Sequence, residues 1–377
     1  MKNEDIEYIL NINNLTEKLE KNNKNTYSNL KRTNHLYFLL RSFFDLLKLL
    51  YSLRFKPSSI SSDLIYTMHN LCYVEQNGIY KERLLNNIKL INPIYINYGK
   101  EHIINNIDTF KVYNIGYLIK FINLFIKKEN SKLTSLHSHS ILNNLILKKF
   151  NGKNIYLLCH YDINGYSVIF SKHRKKFKII EVQHGTIVNY PPYSTSTNKK
   201  LIDKFYVKNN RTIDFLKNNL NKNFYDVEYE VIKNQYNTTK YNNDFLNIMY
   251  ISSIELNDYH PLFYELMQHI SEYNLNIRIL IRLHPRERNK KDLFESIISK
   301  YTPNFSFSES INWFDDLNSS NSFVLSPWSS IIEESIDNNI NTIIIDKLGK
   351  EKFKYLSNSP FFHFTDNIKN LNSILNI

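Results

Sequence analysis

Four short segments of this 377-residue chain place reactive side chains directly after apolar runs. Arg282-Leu283-His284-Pro285-Arg286 follows the run from Arg278 to Ile281. An imidazole and two guanidinium groups there could stabilise charge on a departing phosphate. Pro285 fixes its own φ and ends the run. Ser326-Pro327-Trp328-Ser329-Ser330 opens a helical pattern that carries Glu333 and Glu334. Hydroxyls at a helix N-terminus cap it, and its free N–H groups bind anions. Glu333 or Glu334 could reach a ribose, although acids also simply favour a first helical turn. Glu181-Val182-Gln183-His184-Gly185-Thr186 offers His184 as a general base or donor, with Gly185 permitting a tight turn and a close ligand. His160-Tyr161-Asp162-Ile163-Asn164-Gly165 offers Asp162, either as a base toward a hydroxyl or as a plain helix N-cap. Ser252 and Ser253, after Met249-Tyr250-Ile251, are a weaker phosphate-loop candidate.

The elements that must position these residues alternate. Residues 154–162, 177–185 and 201–209 are short apolar runs, and helix-length segments separate them. Residues 245–253, 276–285, 322–330 and 341–346 repeat the pattern around helices at 259–274, 288–301 and 331–339. Such alternation implies βαβ units of parallel sheets. Strands are also expected at 63–69, 91–99 and 110–116, and helices at 117–128 and 135–149. In open α/β sheets ligands bind beyond the carboxyl ends of the strands, which is where the four segments fall. The polar stretch 227–244 is the expected junction. The expected fold class is α/β, two Rossmann-like lobes behind a helical N-terminal segment. The boundaries are 1–58 for the helical segment, 59–235 for an acceptor-side lobe and 245–377 for a nucleotide-sugar-binding lobe.

Composition agrees with a folded chain: 42% hydrophobic and 22% charged residues, with only 7 Gly and 9 Pro. At this length one core usually splits in two. The formal net charge of +12 attracts anions, nucleotides and acidic glycans among them. Lysines are dispersed and no aromatic-basic module occurs, which argues against a nucleic-acid partner. Two cysteines without ligand spacing point to neither zinc nor a disulfide framework. Asp315-Asp316 falls at an expected helix start and reads as structural, so no catalytic metal or other cofactor is expected. The N-terminus has no uninterrupted apolar region, so a cytoplasmic location is expected.

Leu36 to Phe55 is rich in Leu and Phe, interrupted by Arg41, Asp45, Lys48 and Ser52 on one narrow helical stripe. A spanning helix would bury three charges, which excludes it. The favoured expectation is a mostly buried core helix; the rival is a helix lying on a membrane surface. The segment from Tyr117 to Lys128 raises the same question more weakly.

Gln183-His184-Gly185, His284-Pro285 and Ser329-Ser330, in that order after strands, resemble bacterial two-lobed (GT-B) transferases that build capsules, lipopolysaccharide and teichoic acids. The group includes sialyl-, polysialyl- and Kdo-transferases and CDP-glycerol polymerases. The resemblance covers residues 154–346. It implies that His284, Pro285, Ser329 and Ser330, with Ser326, hold the nucleotide phosphate; the strand-end reading adds Arg282, Arg286, Ser252, Ser253 and Glu333 as nucleotide-binding candidates around them. It also implies a base in the first lobe. Residues 161–165 resemble an Asp-Asp-Gly loop that would make Asp162 the base, although Ile163 and Asn164 depart from that pattern; His184 is the rival. The expected activity is inverting transfer of a sugar, with a CMP-activated acidic sugar as first candidate, to a surface polysaccharide or lipooligosaccharide. Partners would be a nucleotide-sugar donor, a glycan or glycolipid acceptor and the inner membrane surface. The alternatives are a CDP-polyol phosphotransferase, a nucleotide-sugar epimerase and a non-catalytic component of a polysaccharide assembly.

Overall fold

The computed structural model describes residues 35–54, 63–66, 72–74, 79–82, 85, 88–98, 103–104, 108–112, 118, 121–122, 131–188, 191–194, 200–218, 226–232, 246–253, 259–302, 304–309, 313 and 322–377. The chain divides into two compact units, Met1–Asn234 and Gln235–Ile377.

The first unit contains helix α1 (His35–Ser52) and strands β1 (Leu64–Tyr66), β2 (Cys72–Val74), β3 (Ile79–Glu82), β4 (Ile94–Tyr98), β5 (Ile103–Ile104) and β6 (Asp108–Val112). There follow α2 (Ser131–Lys149), β7 (Asn154–Leu157), α3 (Ile163–Ile169), β8 (Lys178–Val182), the single turn α4 (Pro191–Ser194), β9 (Lys204–Val207), α5 (Asn210–Asn218) and β10 (Glu228–Val231). Seven strands form one sheet in the order β10-β9-β8-β7-β1-β4-β6, and every described pairing in it is parallel. The short strands β2, β3 and β5 form a separate small sheet.

The second unit runs β11 (Leu246–Ile251), α6 (Pro261–Glu272), β12 (Ile277–Arg282), α7 (Lys291–Ile298), β13 (Phe305–Phe307), β14 (Ser322–Ser326), α8 (Ser330–Asp337), β15 (Asn341–Ile344), α9 (Lys347–Lys352), β16 (Phe362–Phe364) and α10 (Ile368–Leu375). Its six strands are ordered β13-β12-β11-β14-β15-β16, again all parallel. Numbered from its first strand, this sheet reads 3-2-1-4-5-6, the doubly wound order. The first sheet follows the same path. From β1 the chain winds outward through β4 and β6, then returns to β7 and winds the other way through β8, β9 and β10. The fold class is therefore two Rossmann-like α/β units behind a helical segment.

Burial on both faces explains the strand sequences, because a parallel sheet covered by helices needs apolar residues at successive positions. On β7 and β8, Ile155, Leu157 and Ile179 enter one core cluster, whereas Tyr156, Ile180 and Val182 enter another. On β11, Ile248 and Tyr250 face one side, and Met249 and Ile251 the other.

Three expectations need correction. Residues 228–231, at the start of the polar stretch and inside the expected first lobe, form β10, an edge strand of the first sheet that no apolar run marked. Its alternation leaves Glu228 and Glu230 exposed beside Lys178 and Lys204, so only one face supplies an apolar signal. Phe305–Phe307 and Phe362–Phe364 are edge strands that the apolar runs did not mark. The helix at Leu36–Phe55 is not a core helix. Ser42, Asp45 and Leu49 face the protein, while Leu39, Leu40, Phe43, Phe44, Leu46, Leu47 and Leu50 are exposed. Its inward stripe carries Asp45, whose carboxylate accepts from the Leu118 N–H (3.3 Å). Among the described residues no helix is long and apolar enough to cross a membrane. Residues 1–34, 123–130 and the Asp315-Asp316 pair lie outside the described ones.

Candidate functional site

Each sheet reverses its winding at one place, β11/β14 in the second unit and β1/β7 in the first. At such a point neighbouring crossovers leave on opposite faces, which opens a crevice beyond the strand ends. In each unit the candidate residues cluster at this reversal and the strands beside it.

In the second unit, β11 runs into Ser252 and Ser253, both buried. The Ser252 hydroxyl accepts from the His284 N–H (2.8 Å) and donates to the Glu287 carboxylate (2.6 Å). Glu287 is 1% exposed, and its N–H donates to the His284 carbonyl (2.7 Å). One buried carboxylate thus fixes the turn after β12 and ties it to the end of β11. Sequence reasoning passed over Glu287; an acid two residues beyond a strand-end His-Pro was the available signal. Pro285 opens a 3-10 turn, Pro285–Lys290, and the side chains of Pro285 and Arg286 are outside the described ones. Arg282 points to the neighbouring strand, its guanidinium donating to Ser308 (2.6 Å). The cation is therefore anchored beside β13.

On the other side of β11, Ser326 is fully buried and donates to the Ile251 carbonyl (3.3 Å). Its hydroxyl joins the ends of β14 and β11 across the reversal. Ser329 is the N-cap of α8, its hydroxyl accepting from the Ile331 N–H (3.3 Å). Ser330 is the first residue of that helix. Its amide lies among the first-turn N–H groups that a helix leaves unsatisfied. Glu333 is buried in the first turn, and Glu334 accepts from the Trp313 indole (2.8 Å). The Ser326–Ser330 loop is held from outside by α9, where a Cβ on Gly349 would stand 1.9 Å from the Pro327 carbonyl. Asp346 caps α9 and lies 3.5 Å from His260, which caps α6. Burial lowers the His260 pKa, although Asp346 opposes the shift.

In the first unit, β7 runs into Cys159-His160-Tyr161-Asp162. The His160 ring is fully buried and its Nδ1 lies 2.8 Å from Glu181, whose other oxygen accepts from the Tyr193 hydroxyl (2.7 Å). Glu181 interrupts the apolar face of β8 and is itself fully buried. A buried carboxylate needs such partners. The sequence held the signal, an acid inside the run Phe177 to Val182, and it was passed over. Tyr161 and Tyr193 pack edge-on against the His160 ring.

Asp162 is the N-cap of α3, its carboxylate accepting from the Gly165 N–H. Gly165 is required, because a Cβ there would stand 2.2 Å from the Cys159 carbonyl. Burial raises the Asp162 pKa to about 6, and the Glu181 charge adds to the rise; the Gly165 N–H and His160 pull the other way. Capping and a near-neutral carboxyl therefore coexist in one residue. Of the neighbouring segment, Gln183 donates to the Gly185 carbonyl (2.9 Å) and accepts from the Lys208 N–H (2.8 Å), bracing the ends of β8 and β9. His184 stands 3.5 Å from the Cys159 sulfur, and burial pushes that thiol well above its ordinary pKa. A Cβ on Gly185 would meet no described atom within 4 Å, so the described packing does not demand glycine there. Among the described residues no cluster of three His, Cys, Asp or Glu is placed to hold a metal ion.

No family model matches the chain, and neither does any curated protein. Solved structures are similar to it in chain course. A UDP co-structure of MnaA from S. aureus aligns with a TM-score of 0.47 at 13% identity, covering 84% of this chain and 87% of that one. A putative UDP-N-acetylglucosamine 2-epimerase from Listeria monocytogenes aligns at 0.47 and 10% identity, covering 85% and 89%. MurG from Acinetobacter baumannii aligns at 0.39 and 9% identity, covering 76% and 81%.

Proposed function

We propose that the chain is a nucleotide-sugar-dependent glycosyltransferase, its second unit binding the donor nucleotide and its first unit activating the acceptor. The observation that carries this reading is the coincidence of candidate residues with the winding reversal in both sheets. In the second unit, His284, Ser326, Ser329 and Ser330 belong to two loops that Ser252 and Ser326 tie to β11. A phosphate at the N-terminus of α8 would meet unsatisfied N–H groups and the positive end of the helix dipole. His284 would donate to the departing phosphate, and Glu333 would stand on the ribose side.

In the first unit Asp162 is the preferred base, with His184 as its rival. The Asp162 carboxylate takes the proton of an acceptor hydroxyl, whose oxygen bonds to the anomeric carbon. The bond from that carbon to the nucleotide phosphate breaks, and the phosphate leaves with the electron pair. Attack opposite the leaving group inverts the anomeric centre. The net charge of +12 favours anionic donors and acceptors, so a CMP-activated acidic sugar remains the first candidate and a glycan or glycolipid the acceptor.

The test is titration of CMP, CDP, UDP and GDP by calorimetry into the full chain and into His284→Ala and Ser330→Ala. One nucleotide should bind selectively, and each variant should lose affinity by about 1.5–3 kcal/mol, the worth of a hydrogen bond to a charged group. Unchanged affinity in both variants overturns the donor site. Selectivity for CDP would point to polyol-phosphate transfer, and conversion of a nucleotide sugar without acceptor to an epimerase.

A further inference from the structure

Helix α1 is amphipathic in the wrong sense for water. A helix on a soluble surface turns its apolar stripe inward and its polar face outward. Here the inward stripe is Ser42, Asp45 and Leu49, at helical spacing, and Asp45 is 3% exposed. The outward face is aliphatic and aromatic: Leu40, Phe43, Phe44, Leu47 and Leu50 are each between 44% and 56% exposed. At 1.5 Å per residue, this face runs about 15 Å along the helix from Leu40 to Leu50. Tyr37 and Tyr51 stand near its two ends, both exposed, and the Arg41 guanidinium packs over the Tyr37 ring at 5.3 Å. Arg41 and Lys48 follow one border of the apolar arc. The helix packs on β6, an edge strand of its sheet. An apolar face this continuous on a described surface implies an apolar surrounding.

We propose that α1 is a membrane-surface helix that lies along an anionic bilayer with its Leu/Phe face in the headgroup–acyl boundary. Charge decides between this occupant and a second copy of the chain. From residue 31 to residue 60 the sequence carries Lys31, Arg32, Arg41, Lys48, Arg54 and Lys56, against the single acid Asp45, which is buried. The last turn of α2 adds Lys148 and Lys149, and Lys149 reaches the Leu53 carbonyl at the end of α1. A symmetric contact between two copies would oppose these like charges, whereas anionic headgroups neutralise them. Long Lys and Arg side chains at the border can lay their stems on the apolar face and lift their charges to the headgroups. Tyrosines near the ends suit the same boundary. The helix is not a span: it carries Arg41, Asp45 and Lys48, and its polar stripe is engaged with the protein. This inference is independent of the proposed transferase activity.

The experiment is co-sedimentation of the full chain with phosphatidylcholine vesicles, with and without phosphatidylglycerol, alongside Phe43→Glu/Leu47→Glu and the control Leu293→Glu. Leu293 is also half exposed but lies in the second unit, on α7. Wild type and control should bind the anionic vesicles and lose binding as salt rises; the double variant should bind at least about tenfold more weakly, with an unchanged melting temperature. Four results overturn the proposal. The wild type could stay in the supernatant with both vesicle types, or the double variant could sediment as the wild type does. The wild type could also be a dimer in light scattering that the double variant converts to monomer, or the double variant could melt lower without vesicles; either places protein on the face.

Discussion

Asp162 does two things that usually exclude each other. As an N-cap it accepts from a backbone N–H, which favours the charged form, yet burial and the nearby Glu181 raise its pKa to about 6. The sign of the consequences follows. The carboxylate is the active form of a base, so transfer should decline as pH falls through about 6. The folded state favours the protonated form, so this one group contributes stability below the ordinary aspartate range and loses it as pH rises toward and through 6. Asp162→Asn separates the roles. Asparagine caps helices about as well as aspartate and has no proton affinity in this range. The variant should melt no lower than wild type at pH 7–8 while losing about 10²–10⁴-fold in rate together with the acidic limb of the pH–rate profile. A variant that keeps both its rate and the limb would transfer the base to His184, whose neighbour across the strand is the Cys159 thiol.

At the scale of elements, two glycines show how loops are held where chemistry needs them. Gly165 lets α3 start against the Cys159 carbonyl, and Gly349 lets α9 press on the Pro327 carbonyl between Ser326 and Ser329. Backbone cannot give way as a flexible side chain can. Gly349→Ala should therefore cost about 1–3 kcal/mol, the usual penalty of overpacking, and displace the loop at the start of α8. Calorimetry should record weaker nucleotide binding beyond what the lowered melting temperature explains; a destabilised variant with wild-type affinity would detach this loop from the donor. Neither glycine was legible as a contact, because the partner carbonyl is distant in sequence or lies across a turn. Other features were legible for a physical reason. Parallel strands buried on both faces write themselves as runs such as Phe177 to Val182, so the central strands and the residues at their ends could be placed. Edge strands such as β10, with a single covered face and charged outward positions, could not. The α1 helix misled for a related reason: periodicity identifies a polar stripe but does not say which side faces the protein, and here Asp45 turns inward. Glu181 and Glu287 were missed because each is a single acid whose partners, Tyr193 and His160 or Ser252, come together only in the fold.

At the scale of the whole molecule, each unit has its own parallel sheet and its own core clusters. The second unit is of ordinary domain size and contains every residue assigned to the nucleotide. The network that orders those residues, Ser252 with Glu287 and His284, and Ser326 with Ile251, is also internal to it. Nothing in the donor assignment therefore calls on the first unit, and this can be measured directly. A fragment covering Gln235–Ile377 should fold cooperatively and bind the preferred nucleotide with an affinity close to that of the full chain. In the full chain, saturating nucleotide should raise the unfolding of this unit by mass action, by about 2.7 kcal/mol at a hundredfold excess over Kd, and leave a separate transition of the first unit where it was. A fragment that folds but does not bind would mean that the nucleotide also needs residues of the first unit, and the donor would then have to be reassigned. A fragment that binds while transfer is lost would confine the missing step to acceptor activation, where Asp162 and His184 remain the groups to test.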